Sequence, residues 1–388
     1  MKTITTKGAS ISGKEGIRKA ISGFLKTLLE EGVFDGILIP MRVPAKDSYA
    51  WVLVNESSLL DEANPAAPVM PVQGAKALKS FTRRGKGSLK IAAVMRPCEI
   101  RASIELAKLN QVHLENITLM SMDCPGALPM SDYLENPEEA EKRFDALFSG
   151  GHWGDASTKP VCQICNCFSL LPSCDFHFGL FRGQKERILL IPNSEKGRRV
   201  FKEKKLVASG AISDWKKSTE ELTEKRRKQR AARFREVQSM VEGFDPLLET
   251  FAECIGCHDC QSACPICYCR QCYFDSEVSK PDSDFILQKA KRRGGLSFPL
   301  DRILFHVGRM SHMSLSCVSC GLCSDACPVS IPVADVFGYV ADQTQRTFEY
   351  KAGEDREEVL PITNYRLDEI RGIEELVQQA EGVASKDG

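Results

Sequence analysis

Residues 254–265 read CIGCHDCQSACP, and residues 317–328 read CVSCGLCSDACP. Each stretch spaces its cysteines C-x2-C-x2-C-x3-C and closes on a proline, Pro265 in one and Pro328 in the other. The spacing has a physical basis. Three thiolates in one tight loop can reach three irons of a cubane, and the fourth cysteine lies one helical turn further on. This is the ligand run of a two-cluster [4Fe–4S] module, in which the fourth cysteine of each run serves the other cluster. The expected sets are therefore Cys254, Cys257, Cys260 and Cys327 for one cluster, and Cys317, Cys320, Cys323 and Cys264 for the other. A zinc ribbon closes at four ligands from separated C-x2-C pairs, and gives no reason for three cysteines at successive two-residue gaps, twice.

Between the two runs lies C-P-I-C-Y-C-R-Q-C, which adds Cys267, Cys269 and Cys272. These three read either as ligands of a further cluster, with a fourth ligand from elsewhere, or as reduced thiols packing as small hydrophobes. His306 and His312, near the second run, read as packing or hydrogen-bonding residues.

Upstream, the chain alternates helix and strand. Ser12 and Glu15 have capping-box spacing. Ile17, Ile21, Phe24, Leu25, Leu28 and Leu29 then recur at helical intervals, with Gly32 as a stop. Strands are expected at Gly36–Met41, Tyr49–Val54, Leu89–Met95, Ile117–Met122 and Ile188–Pro192. Helices are expected at Gly74–Arg83, Glu99–Leu109 and Glu138–Leu147. Such alternation predicts an α/β domain with a sheet covered by helices. Cys98 and Cys124 each follow a predicted strand, and Cys162 and Cys165 form a C-x2-C in a stretch, Val161–Phe178, of little regular pattern. Strand ends on one edge of a parallel sheet converge. Cys98, Cys124, Cys162 and Cys165 can thus meet and hold a third [4Fe–4S] cluster, the alternatives being a zinc site or unrelated buried thiols. Cys167 and Cys174 are left over, either free to supply a missing ligand.

Four segments are expected: an α/β domain over 1–210, a charged linker helix over 211–245, a small ferredoxin-like dicluster domain with an insertion over 246–345, and an extension over 346–388 with a helix at Leu367–Glu381. Nine basic residues crowd Lys216–Arg235 against three acids. That helix reads as a solvated linker, or as a docking surface for an acidic partner or a phosphate group.

Composition narrows the class. The chain has 388 residues, with 17 cysteines and only 6 histidines. Lys+Arg is 52 and Asp+Glu is 52, so no basic excess argues for nucleic acid. A disulfide framework wants a small secreted chain. Here MKTITTKGAS carries no apolar signal region, and no run approaches the roughly 18 apolar residues of a membrane span. The expected location is the cytoplasm. No G-x-G-x-x-G, Walker A run, H-E-x-x-H or G-x-S-x-G occurs. Without an acid–base or nucleophile constellation, chemistry must come from bound redox groups.

Four stretches carry a resemblance: residues 93–126, AVMRPCEIRASIELAKLNQVHLENITLMSMDCPG; residues 161–180, VCQICNCFSLLPSCDFHFGL; residues 254–272, CIGCHDCQSACPICYCRQC; and residues 309–333, RMSHMSLSCVSCGLCSDACPVSIPV. They resemble the β-subunit family of deazaflavin-dependent formate dehydrogenases and hydrogenases, the formate dehydrogenase β subunit in particular, in the same order and across both halves. The resemblance implies an FAD in the N-terminal domain beside a [4Fe–4S] cluster on Cys98, Cys124, Cys162 and Cys165. It also implies further clusters leading to a catalytic dehydrogenase or hydrogenase subunit. By resemblance only, the flavin is expected near Gly74, Ala75, Lys76, Arg96 and Pro97, and the Cys267, Cys269 and Cys272 triplet is shared. Three features depart from the family. Its glycine-rich opening is reduced to Ser10–Gly16, Cys174 replaces a small or apolar residue, and the flavin segment reads Pro71–Lys76. The acceptor is left open between a deazaflavin, a nicotinamide and another protein. The competing reading is a flavin-free iron–sulfur adaptor between a dehydrogenase and a heterodisulfide-reductase-like complex.

Overall fold

The computed structural model describes residues 7–150, 153–154, 156–180, 187–207 and 210–364. The helix expected at Leu367–Glu381 lies outside them. Strands β1 (Lys7–Ser12), β2 (Gly36–Arg42), β3 (Tyr49–Val54), β4 (Ile91–Met95), β5 (Ile117–Met122), β6 (Phe176–Leu180), β7 (Arg187–Pro192) and β8 (Gly210–Ala211) form one sheet. Their order is β3-β2-β4-β5-β6-β7-β1-β8. The central strands β2, β4, β5 and β6 are parallel, with Ala93 opposite Leu119 at the middle. The flanking strands are antiparallel.

The central strands read as unbroken apolar runs because both faces are covered. Alternate residues separate cleanly. Ile37, Ile39, Ala92, Val94, Met120 and Met122 face a core shared with α1 (Ile17–Glu30). Leu38, Ile91, Ala93, Met95, Ile117 and Leu119 face the other way, against α2 (Gly74–Thr82) and α3 (Pro97–Lys108). That second core does not stop at the helices. It runs on through Phe251, Phe305, Val318, Val336 and Phe337 of the cysteine-rich half. The two halves of the chain therefore share one apolar layer.

Two local expectations are corrected. Ser12 does not cap α1: it ends β1, opposite Arg187, and the helix starts after Gly16 with no side-chain cap. Val161–Phe178 is not all irregular: Pro160–Gln163 (α4) is a helical turn and β6 begins at Phe176. The basic segment forms one long helix, α5 (Ser213–Val241), with Trp215, Leu222, Arg226, Phe234 and Val237 buried. Its cations are partly spent on the chain itself. Arg233 pairs with Asp335 at 2.6 Å and Arg230 with Asp342 at 3.4 Å. Arg226 donates to the Cys165 carbonyl at 3.1 Å and stacks over Phe168. Among the described residues, no helix is long and apolar enough to cross a membrane.

Candidate iron–sulfur centres

Both ferredoxin-type runs adopt the same backbone. In the first, Gly256 and His258 flank Cys257 at φ 69° and 61°. In the second, Ser319 and Gly321 flank Cys320 at φ 53° and 83°. Alternating left-handed residues wrap each loop around a point, as three converging thiols require. Short helices then carry the third cysteine: α6 (Asp259–Ala263) holds Cys260 and α7 (Leu322–Asp325) holds Cys323. Cys264 and Cys327 lie just past them, where Pro265 and Pro328 prevent continuation.

The expected exchange of the fourth cysteine is geometrically present. The Cys260 thiol is pushed up to about 11, first by burial, and then by the neighbouring Cys254, Cys257 and Cys327 against Arg309. Cys264, Cys317, Cys320 and Cys323 line a single cavity, walled by Pro265, Ile266, Met313, Val318 and Phe337. So Cys327 stands with the first run, and Cys264 with the second.

The third set also comes together. Cys98 opens α3 at the end of β4, Cys124 follows β5, Cys162 lies on α4, and Cys165 follows it. Arg96 sits within reach of the charges of Cys98, Cys124 and Cys162, and Cys165 within reach of Cys124. Gly126 is forced at this point: at φ +121°, a Cβ would lie 3.1 Å from the Cys162 Cβ. Burial comes first in raising all four thiols. Among the described residues no three His, Cys, Asp or Glu side chains converge tightly enough to grip one metal ion. A cubane is several ångströms across and its thiolates bind different irons, so its ligands stand farther apart than those of a single ion.

The sets adjoin one another. Cys260 of the first lies within charge range of Cys323 of the second, and Cys320 of the second within range of Cys98 of the third. Cys267, Cys269 and Cys272 line a separate cavity with Gln261, Arg309, His312 and Met313. Cys267 Sγ lies 2.8 Å from Met313 Sδ. Cys174 is engaged elsewhere, its thiol donating to the Phe176 carbonyl at 2.9 Å. Cys167 lines a polar cavity beside Arg101 and Cys317.

Two residues that spacing could not point to complete the picture. Arg101 and Arg309 are 7% and 3% exposed, and neither ion-pairs with a carboxylate among the described residues. Burial disfavours each guanidinium, and thiols favour it most: Cys167, Cys165, Cys98 and Cys317 for Arg101, Cys260, Cys267 and Cys264 for Arg309. A buried cation needs a counter-charge. A buried thiol is neutral and supplies none, whereas a cluster-bound thiolate does. The donor set thus fits iron–sulfur clusters in charge as well as spacing.

The flavin positions do not pass the same test. An N-terminal helical turn holds a pyrophosphate through free N–H groups. In α2 the Gly74 N–H donates to Glu99 Oε1 at 3.1 Å and the Ala75 N–H to Gln73 Oε1 at 2.6 Å. The Lys76 N–H bonds the Gln73 carbonyl, and its ammonium reaches the Ser262 carbonyl. Arg96 donates to the Ala67 carbonyl and, through its backbone, to Glu99 Oε2. Pro97 has no N–H. Gly74 is explained by packing, since a Cβ there would lie 2.7 Å from Trp51.

Adjoining sets of four cysteines on an α/β scaffold are the makings of an iron–sulfur oxidoreductase subunit. No protein-family model matches the chain. It is similar along its length to two curated proteins. One is the F420-dependent formate dehydrogenase subunit beta of Methanocaldococcus jannaschii, 27% identical over 371 residues, covering 87% of this chain and 92% of that protein. The other is the F420-dependent formate dehydrogenase 1 subunit beta of Methanococcus maripaludis, 25% identical over 380 residues, covering 87% and 91%. The chain is a relative of these β subunits, as the four quoted stretches suggested. Among solved structures, a chain of the F420-reducing [NiFe] hydrogenase complex from Methanosarcina barkeri, derivatised with xenon, is similar at TM-score 0.42 and 12% identity. It covers 60% of this chain and 93% of that one.

Proposed function

We propose that this chain is the electron-transfer β subunit of a formate dehydrogenase or hydrogenase type complex, carrying electrons between a catalytic partner and an acceptor on [4Fe–4S] clusters. The observation that carries the reading is the unbroken series of cysteine sets, joined at Cys260 and Cys323 and again at Cys320 and Cys98. Clusters supply one-electron steps, and their potentials follow hydrogen bonding, charge and exposure. Cys254, Cys257, Cys260 and Cys327 would hold one, Cys317, Cys320, Cys323 and Cys264 a second, and Cys98, Cys124, Cys162 and Cys165 a third. The Cys267, Cys269 and Cys272 cavity offers three ligands for a fourth. Anaerobic purification and iron counting test this. Fewer than about eight irons per chain would sink even the two ferredoxin-type centres.

FAD with hydride exchange to a deazaflavin or nicotinamide is what the resemblance adds. The engaged N–H groups of Gly74, Ala75 and Lys76 favour the second reading at that place, a flavin-free adaptor wiring a dehydrogenase to another redox complex, of heterodisulfide-reductase type in the reading above. Flavin released on denaturing the purified complex, assigned to this chain after subunit separation, would overturn the adaptor reading.

A further inference from the structure

The side chain that belongs to no single cysteine set is Arg309, on α8 (Arg302–Met313). Its Nη1 donates to Cys260 Sγ at 3.0 Å and its Nη2 to the Cys260 carbonyl at 3.0 Å. The guanidinium is held between two rings, 5.4 Å from the centre of Phe305 and 4.8 Å from that of Phe337. Its Nε has no hydrogen-bond partner. It also lines the cavity of Cys267, Cys269 and Cys272 and acts on Cys323 of the second set. One buried cation thus stands where the first set, the second set and the triplet cavity meet.

We infer that Arg309 is a positioning residue that sets the potential of the cluster held by Cys254, Cys257, Cys260 and Cys327, raising it and so making that cluster easier to reduce. This rests on the iron–sulfur reading above. Reduction adds one electron, and so one negative charge, to a cluster. A fixed cation one N–H···S bond away stabilises the reduced form more than the oxidised form, and does so strongly where water is excluded. Hydrogen bonds to sulfur and local charge are the levers by which a protein moves a cluster's potential. Arg309 applies both at Cys260, through a direct N–H···S bond, bonds Cys267 of the triplet as well, and acts through charge alone at Cys264 and Cys323. The centre at Cys260 should therefore feel it more than the second-set centre. A neighbouring ring, His306, also stands at this set, its Nε2 3.3 Å from Cys254 Sγ.

The test is an EPR-monitored redox titration of the full chain, purified without oxygen, as wild type, Arg309→Gln and Arg309→Lys. Iron is counted in each. The signal whose shape changes in Cys257→Ser identifies the first-set cluster. Arg309→Gln is expected to keep its iron and to lower the midpoint potential of that signal, shifting the second-set signal less. Arg309→Lys, which keeps the charge but not the two-pronged bond, should fall between Gln and wild type. An unchanged midpoint in Arg309→Gln with full iron would overturn the inference, as would an equal shift of every signal. Should Arg309→Gln lose iron, Arg309→Lys decides: a midpoint at or just below wild type supports the role of charge, and one above wild type overturns it. Absence of iron from the wild-type chain would instead overturn the reading on which the inference rests.

Discussion

Lys159 Nζ lies 2.6 Å from Asp325 Oδ2, with both side chains over nine-tenths buried. Lys159 stands just before Cys162, and Asp325 just after Cys323, so the pair clamps the third cysteine set to the second. Asp325 Oδ1 also accepts the Met130 N–H at 3.0 Å. Removing one partner of a buried pair leaves the other charge uncompensated and costs about 3–5 kcal/mol. Asp325→Ala should therefore lower stability by that order in anaerobic urea unfolding. Combining it with Lys159→Met should recover part of the loss. Additive losses in the double variant would show that the two groups do not act as a pair.

Gly321 predicts a local failure with a distinct signature. Its φ is +83°, and a Cβ would lie 2.5 Å from Val161 Cγ2. The left-handed conformation alone costs an ordinary residue about 1–2 kcal/mol, and Val161 is anchored beside Cys162. Gly321→Ala should push the second loop away from α4 and reduce iron content. Gly295→Ala, where a Cβ meets nothing within 4 Å, should leave iron unchanged. Equal iron in both would refute the loop argument.

Cys174 should stay protonated and unreactive in the folded chain. Burial, and then Asp175, push its thiol up to about 12. A raised value favours the protonated form in the folded chain. The stabilising contribution is full below the unfolded thiol range near 8.5 and is lost as pH rises toward 12. At pH 8, iodoacetamide should leave Cys174 unmodified in the folded chain and label it after denaturation, read by peptide mass. Labelling of Cys174 in the folded chain would contradict its place against the Phe176 carbonyl.

How much of this was legible in the sequence follows from how local each signal was. The strand Ile117–Met122 falls where its apolar run puts it, because burial on both faces imprints the run itself, and the edge strand Tyr49–Val54 is legible from its aromatic and β-branched residues, though only its ends are buried. The ferredoxin-type sets follow from spacing within one loop. The third set needed topology as well, since Cys98 and Cys124 meet only because β4 and β5 are adjacent and parallel. Ser12 misled because its capping pattern is local, while its pairing with Arg187 in β7 is not. Phe176–Leu180 was too short a run to stand out behind four cysteines. Arg309 was invisible: nothing within its own helix says that α8 will pack it onto Cys260, far earlier in the chain. Arg101 had a faint signal in the RPCEIRA segment, where basic residues flank Cys98 on both sides.

Removing the iron should open the cysteine-rich half while sparing the central strands. With clusters bound, Arg101 and Arg309 face thiolates. Without them, burial raises Cys98, Cys165, Cys260 and Cys317, so these groups are neutral thiols at pH 7. Two guanidinium groups are then buried without counter-charge, at a cost of several kcal/mol each. Against a total stability of about 5–15 kcal/mol, that is enough to unseat the elements that hold them. The core on the α1 side of the sheet contains neither arginine. Chain stripped of iron by chelator and oxidant should show fast amide exchange across residues 254–330, and slow exchange in β2, β4 and β5. Arg101→Met with Arg309→Met should slow exchange across 254–330 in the stripped chain, because the uncompensated charges are gone. Equal protection of residues 254–330 with and without iron would show that these arginines find their counter-charge elsewhere.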